Sequence, residues 1–227
     1  MRHRIRSAVA GLATLAAALT LTVVGSAAPA HAAGHDPIVF VHGFWGDDWN
    51  WDVMTDRFRA DGWSDNELLV WDYDTSQSNE TTARQLSAFV DGVLSETGAA
   101  KIDFVTHSMG GLSSRHYIKF LGGGGQVDEW VSLGGPNHGT NAAYACFDAS
   151  CRDMRYDSTF LTTLNSGDET PGAVRYGTVR SRCDEVINPD TSTVLAGADN
   201  RELSDCVGHI SLLGSSETYR TVRDFVR

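Results

Sequence analysis

The chain has 227 residues, with 29 acidic against 18 basic side chains and a formal net charge of −11 at pH 7. A surplus of negative charge repels phosphate backbones and anionic lipid headgroups. The composition therefore excludes nucleic acid and anionic membrane surfaces as expected partners, and it places no constraint on uncharged lipids.

Residues 1–32 are predicted to be a secretory signal peptide. Three arginines precede an Ala- and Leu-rich run over residues 8–25, and Ala30-His31-Ala32 forms an A-x-A cleavage site. A membrane anchor would need about 20 apolar residues, and Thr and Gly interrupt this run. Cleavage leaves residues 33–227 as one predicted, secreted domain and moves the formal net charge from −11 to −14, because three basic and no acidic residues are removed.

Predicted strands and helices alternate along the rest of the chain. The predicted strands are 37–42, 67–71, 101–105, 126–133 and 173–182. The predicted helices are 50–60, 79–97, one that opens at Gly110-Gly111 and continues through Phe120, and 217–226. This alternation predicts an α/β fold with a mostly parallel sheet of about six strands and helices on both faces.

The segment KIDFVTHSMGG, residues 101–111, places Ser108 where a strand turns sharply into a helix. Such a turn lifts the hydroxyl clear of the backbone, and it needs small residues two positions before and after the serine. Gly110 meets this requirement, whereas Thr106 stands where glycine is usual. The pattern alone occurs by chance in many chains, so two further segments are needed to interpret it.

The first further segment is PIVFVHG, residues 37–43, a short apolar run that predicts a buried strand entering a loop. Glycine there lets the backbone approach a ligand, so the amide of Phe44 can point at a developing negative charge. The second segment, CVGHISLL, places His209 on a loop. An imidazole activates a serine hydroxyl when a carboxylate holds it in one tautomer, and the chain order Ser, Asp or Glu, His is typical of α/β-hydrolases.

Together, PIVFVHGF, THSMGG, VSLGGPNHGT and VGHISLL resemble the small secreted bacterial triacylglycerol lipases of the α/β-hydrolase superfamily, the minimal Bacillus type and its actinobacterial relatives. The resemblance extends from about residue 36 to the end of the chain. It implies that Ser108 is the nucleophile, His209 the general base and Asp184 the acid. It further implies that the Phe44 and Met109 amides form the oxyanion hole. We expect no cofactor for this chemistry, and no metal-ligating residue is assigned.

Asp184 is preferred as the acid because it directly follows a predicted strand, at the edge of the sheet where such sites lie. The alternative carboxylates nearby are Glu185, Asp190, Asp199 and Asp205.

Several other polar and aromatic side chains are competing candidates. His107 is expected to point away from Ser108. His42 is expected to brace the oxyanion loop, which is the loop after strand 37–42 that carries the Phe44 amide. The remaining rivals for the base are His116, two turns into a helix, and His138, which precedes the acid. The three tryptophans Trp45, Trp49 and Trp51 are predicted either to line an acyl cleft or to cover the sheet.

All four cysteines follow the predicted signal peptide, which favours disulfides with three possible connectivities. We expect Cys146–Cys151 and Cys183–Cys206, and the second bridge would tie the Asp184 loop to the His209 loop. A zinc site is not expected, because Cys-x-x-Cys and paired histidine spacings are missing from the sequence.

The 36 residues 136–171 sit where larger hydrolases insert a lid, and most of them are polar. We expect a short, disulfide-pinned cap there rather than a large mobile lid. The sequence as a whole predicts a secreted, monomeric carboxylic-ester hydrolase, a triacylglycerol lipase, that contacts lipid interfaces transiently. A soluble-ester esterase or acyltransferase with the same catalytic residues, and an inactive hydrolase fold used for binding, are the alternatives.

Overall fold

The structure, a computed structural model, describes residues 34–226, so the predicted signal peptide lies outside the described residues. Six strands form one sheet in the order β2-β1-β3-β4-β5-β6, and every neighbouring pair is parallel. The strands are β1 (Ile38–Val41), β2 (Leu68–Trp71), β3 (Ile102–His107), β4 (Val127–Leu133), β5 (Arg175–Arg180) and β6 (Asp199–Glu202). The strand order reverses direction between β1 and β3, and ligands of such sheets bind beyond the carboxyl ends at that point.

In the described part of the chain, six α-helices connect or cover these strands. They are α1 (Asp52–Ala60), α2 (Asn79–Thr97), α3 (Gly110–Phe120), α4 (Ala149–Asp153), α5 (Thr159–Leu164) and α6 (Ser216–Phe225). Short 3₁₀ turns lie at Asp48–Trp51, Asp65–Glu67, Gly123–Gly125, Asn141–Tyr144, Asp190–Thr193 and Ile210–Leu213. Among residues 34–226, none of the helices is long and apolar enough to cross a membrane.

The sheet separates two hydrophobic cores, because successive side chains of a strand point to opposite faces. On one face, Val39 and Phe104 belong to the core that includes α2 and α3. On the other face, Phe40 and Val105 belong to the core that includes α1 and α6. Parallel strands covered on both faces have continuous apolar sequences, and IVFV of β1 is accordingly buried at all four positions. The predicted parallel α/β sheet with helices on both faces is therefore confirmed.

Strand β6 corresponds to none of the five strands placed from the sequence. Its sequence, DNRE, is polar and mostly exposed, and among the strands of residues 34–226 it pairs only with β5, at the edge of the sheet. Charged side chains protect such an edge from pairing with other chains. The strand therefore lacks the apolar residues from which a strand is predicted in a sequence.

Both expected disulfides are present, Cys146–Cys151 and Cys183–Cys206, with Cα–Cα distances of 5.9 and 5.2 Å. The second bridge joins the loop after β5 to the loop after β6. These are the loops that contain Asp184 and His209.

Candidate active site

Ser108 occupies the sharp turn between β3 and α3. Its φ of +54° lies in the left-handed region, which is strained for a residue with a side chain and is typical of functional sites. The backbone N–H of Ser108 donates to the carbonyl of Leu133, 2.9 Å away, on β4. The turn is thus fixed to the neighbouring strand at the carboxyl edge of the sheet.

The helix that follows this turn contacts the sheet backbone directly. A Cβ on Gly110 would lie 2.5 Å from the carbonyl oxygen of Val41, so only glycine fits without a shift. Thr106, in the position where glycine is usual, is buried and donates its hydroxyl to the carbonyl of Val131 at 3.0 Å. The threonine is accommodated because its polar group has a partner on β4.

Asp184 and His209 form a buried pair at the carboxyl ends of β5 and β6. Asp184 Oδ2 lies 2.8 Å from His209 Nδ1. The other carboxylate oxygen accepts the backbone N–H groups of Val186 and Ile187, at 2.9 and 2.8 Å. A carboxylate partner favours the tautomer with its proton on Nδ1, and this leaves Nε2 free to accept a proton.

Three of the four competing carboxylates, those of Glu185, Asp190 and Asp199, have other partners. Glu185 Oε2 accepts the backbone N–H of His209 at 3.1 Å rather than the ring. Asp190 pairs with Arg180, and Asp199 lies on β6, where it pairs with Arg201. Among the five candidates, all within residues 34–226, Asp184 alone bonds the imidazole of His209.

The competing histidines also have contacts of their own. His116 stacks against Phe160, and His138 pairs with Glu169 at 2.8 Å. His107 was expected to point away from Ser108, and its Nε2 lies 3.1 Å from the backbone oxygen of His209. No periodic sequence signal could have revealed this contact, because it joins residues 102 positions apart.

The loop after β1 brings the Phe44 amide beside the serine turn. A Cβ on Gly43 would lie 2.7 Å from Ser108 Cβ, so the glycine allows this approach. Within residues 34–226 neither the Phe44 nor the Met109 N–H has a hydrogen-bond acceptor, so both are available to a ligand. Met109 also precedes α3, where the partial positive charge of the helix end favours an anion.

His42 braces this loop, as expected. Its Nδ1 lies 3.0 Å from the carbonyl of Gly43, and its Nε2 lies 3.1 Å from Asp72 Oδ1. The ring stacks on Tyr73 at 4.4 Å between centroids, and the Tyr73 hydroxyl donates to the His42 carbonyl at 2.7 Å.

Ser108 and His209 both line a cavity of about 460 Å³ whose wall is mostly apolar. Trp45 and Trp49 line its mouth and are 81% and 63% exposed, whereas Trp51 is fully buried against Phe40. The tryptophans thus divide between the two predicted roles: two line the cleft and one covers the sheet.

Residues 136–171 form part of the cavity wall. The Cys146–Cys151 bridge and Arg155, which donates to the carbonyls of Ala143 and Cys146 at 3.2 and 2.9 Å, hold the short turn and helix together. Ala143, Cys146 and Met154 face the cavity. The segment is therefore a short pinned cap, as expected.

The fold is similar to that of several solved lipases. Lipase BlEst2 of Bacillus licheniformis in its mature form matches with a TM-score of 0.74 and 17% identity, over 89% of this chain and 96% of that chain. Lipase B of Aspergillus fumigatus matches with a TM-score of 0.70 and 16% identity, over 81% of this chain and 50% of that chain. At these identities the likeness concerns the fold.

Sequence comparison defines the family. A triacylglycerol lipase of Burkholderia plantarii is 32% identical over 112 residues, which are 45% of this chain and 31% of that protein. The match thus spans less than a third of that relative's length. Residues 35–210, most of the chain, match the family described as Lipase (class 2). The chain therefore belongs to the class 2 lipase family.

Proposed function

We propose that the protein is a secreted carboxylic-ester hydrolase acting on triacylglycerols through an acyl-enzyme on Ser108. The observation that supports this most directly is that Ser108, on a strained turn, His209, held by the buried carboxylate of Asp184, and Phe44 line one apolar cleft. Within residues 34–226 the N–H of Phe44 and that of Met109, next to Ser108, have no acceptor. Family membership supports the same reaction class.

Acylation begins when His209 Nε2 takes the proton of the Ser108 hydroxyl as Oγ attacks the ester carbonyl carbon. The Phe44 and Met109 N–H groups donate to the oxyanion, and one such donor contributes about 3 kcal/mol to transition-state stabilisation. Asp184 stabilises the imidazolium that forms. His209 then gives this proton to the oxygen of the leaving alcohol as its bond to the carbonyl carbon breaks.

Deacylation repeats these steps with water as the nucleophile. His209 takes a proton from water, whose oxygen attacks the carbonyl carbon of the acyl-enzyme, and the proton passes to Ser108 Oγ as that ester bond breaks. The products are a free fatty acid and the original serine. Every proton transfer uses His209, so these steps proceed without a cofactor.

The rim of the cleft supports a lipid substrate. Three exposed apolar side chains line the cleft, Trp45, Trp49 and Ile210, and the exposed Tyr144 and Phe147 adjoin the lining residues Ala143 and Cys146 in the chain. Exposed apolar patches of this kind are typical of surfaces that contact lipid or protein. The negative net charge opposes anionic headgroups, which supports an uncharged lipid such as a triacylglycerol.

Secretion is supported by the predicted signal peptide together with the two disulfides. Disulfides persist in oxidising compartments and are rare in the cytosol.

The test is to measure hydrolysis of p-nitrophenyl esters of increasing acyl length beside emulsified triolein, with the Ser108→Ala variant as the blank. We expect fatty acid release from triolein that the variant lacks. Hydrolysis confined to short, water-soluble esters would replace the lipase proposal with an esterase. A wild-type protein that hydrolyses neither substrate would indicate a binding function.

A further inference from the structure

The residue immediately before Ser108 contacts the loop of the proposed base. His107 Nε2 lies 3.1 Å from the backbone oxygen of His209, and the two imidazole rings are 4.5 Å apart between centroids. A carbonyl oxygen only accepts, so His107 Nε2 bears the proton and donates. Resting on the proposed function, we infer that His107 is a positioning residue that fixes His209 relative to Ser108.

The protonation state of His107 suits a fixed donor. Burial, followed by the proximity of His209, lowers the pKa of His107 to about 3. The ring is therefore neutral at every pH near or above 5, with one proton, and that proton is on Nε2. His107 offers His209 a constant hydrogen bond and no competing positive charge.

His209 is held at three atoms. Asp184 binds its Nδ1 at 2.8 Å, Glu185 accepts its backbone N–H at 3.1 Å, and His107 donates to its backbone oxygen at 3.1 Å. Asp184 and Glu185 both belong to the loop after β5, so these two contacts orient His209 relative to that loop. His107 instead ends β3, the strand that leads directly into Ser108.

The carboxyl end of β3 therefore positions both Ser108 and His209. Ser108 and the donor to His209 are consecutive residues, so a single backbone segment sets the separation of nucleophile and base. The other ring nitrogen lies beside the loop after β1 that carries the Phe44 amide: a Cβ on Gly43 would lie 3.3 Å from His107 Nδ1. A misplacement of about 1 Å can cost on the order of 100-fold in rate, so loss of this contact is expected to reduce turnover.

The test uses two substitutions of His107 with opposite expectations. His107→Phe keeps an aromatic ring in the wall of the cleft and removes the donor, whereas His107→Gln keeps an N–H at a similar distance from the backbone. We expect His107→Phe to lower kcat by about 10- to 100-fold and to leave KM within about twofold, because substrate contacts change little. His107→Gln should recover most of the lost kcat. His138→Phe, the same change at a histidine paired with Glu169 outside the cleft, should keep the wild-type kcat.

A wild-type kcat for His107→Phe, a loss that appears only in KM, or a His107→Gln variant as slow as His107→Phe would overturn the inference. If circular dichroism shows that His107→Phe is unfolded, His107→Asn replaces it, because the shorter amide cannot reach the carbonyl of His209. Failure of the proposed function is recognised separately, since it would appear as a wild-type protein without esterase activity or as an active Ser108→Ala variant.

Discussion

Gly134 lies against the hydrogen-bonded pair of Asp184 and His209. A Cβ on Gly134 would be 2.9 Å from Asp184 Oδ2 and 3.2 Å from His209 Nδ1. Gly134 also has a φ of +56°, a conformation that strains a residue with a side chain. The end of β4 therefore leaves the space that the Asp184–His209 hydrogen bond needs.

Gly134→Ala should consequently damage activity more than stability. We expect kcat to fall by about 10-fold or more because the methyl group displaces the carboxylate or the imidazole. Gly167→Ala is the matched control, since Gly167 has a φ of +69° and open space around its Cβ position. Both variants should lose melting temperature through the strain of a positive φ, and Gly134→Ala should lose more, because only its methyl group meets buried neighbours. Equal kcat values for the two variants would contradict this account of Gly134.

Asp184→Asn should lower kcat by about 10⁴-fold, because an amide no longer selects the tautomer of His209 with a free Nε2. The matched control is Glu185→Gln, which keeps an oxygen that can accept the backbone N–H of His209. Steady-state kinetics should show a small effect for the control. Near-normal turnover by Asp184→Asn would mean that another carboxylate holds the imidazole.

The two disulfides should have different effects when they are removed. Cys183 adjoins Asp184, and Cys206 lies three residues before His209, so their bridge restrains the separation of the two loops. The double change Cys183→Ser with Cys206→Ser should lose activity at temperatures where circular dichroism still shows an intact fold. The double change Cys146→Ser with Cys151→Ser, in the cap, should mainly lower the melting temperature. Equal activity losses at those temperatures would contradict a positioning role for the first bridge.

The short pinned cap leads to a kinetic prediction. Because the Cys146–Cys151 bridge and Arg155 hold the cap, the cleft should not require an opening step at a lipid interface. The rate on a short-chain triglyceride should therefore increase smoothly as its concentration passes the solubility limit. An abrupt increase at the appearance of the emulsion would show that residues 136–171 open as a lid.

Local signals account for the elements that the sequence predicted well. Helix α2 has apolar side chains on one face and Gly98, in the left-handed conformation with φ 72°, just past its end, and its predicted bounds of 79–97 match the structure. Strand β1 is continuously apolar because it is covered on both faces. Strand β6 was not located, since an exposed edge strand with the sequence DNRE lacks any apolar residue.

The candidate site shows the same division. Ser108 and His209 stand in recognisable local motifs, and Asp184 was preferred because it follows a strand. The contacts of His107 with His209 and of Gly134 with Asp184 depend on how distant loops meet, so they could be found only in three dimensions. Likewise, only the fold separates Trp51, in the core, from Trp45 and Trp49, at the cleft.

The most direct test of the central claim is labelling with a serine-directed alkyl phosphonate followed by peptide mass spectrometry. The assignment of Ser108 as the nucleophile predicts that this residue alone is phosphonylated. It also predicts that a Ser108→Ala variant stays folded, is not labelled and has a kcat lower by several orders of magnitude, with only the contribution of the oxyanion hole remaining. Stoichiometric labelling of another residue, or a Ser108→Ala variant with wild-type turnover, would contradict it.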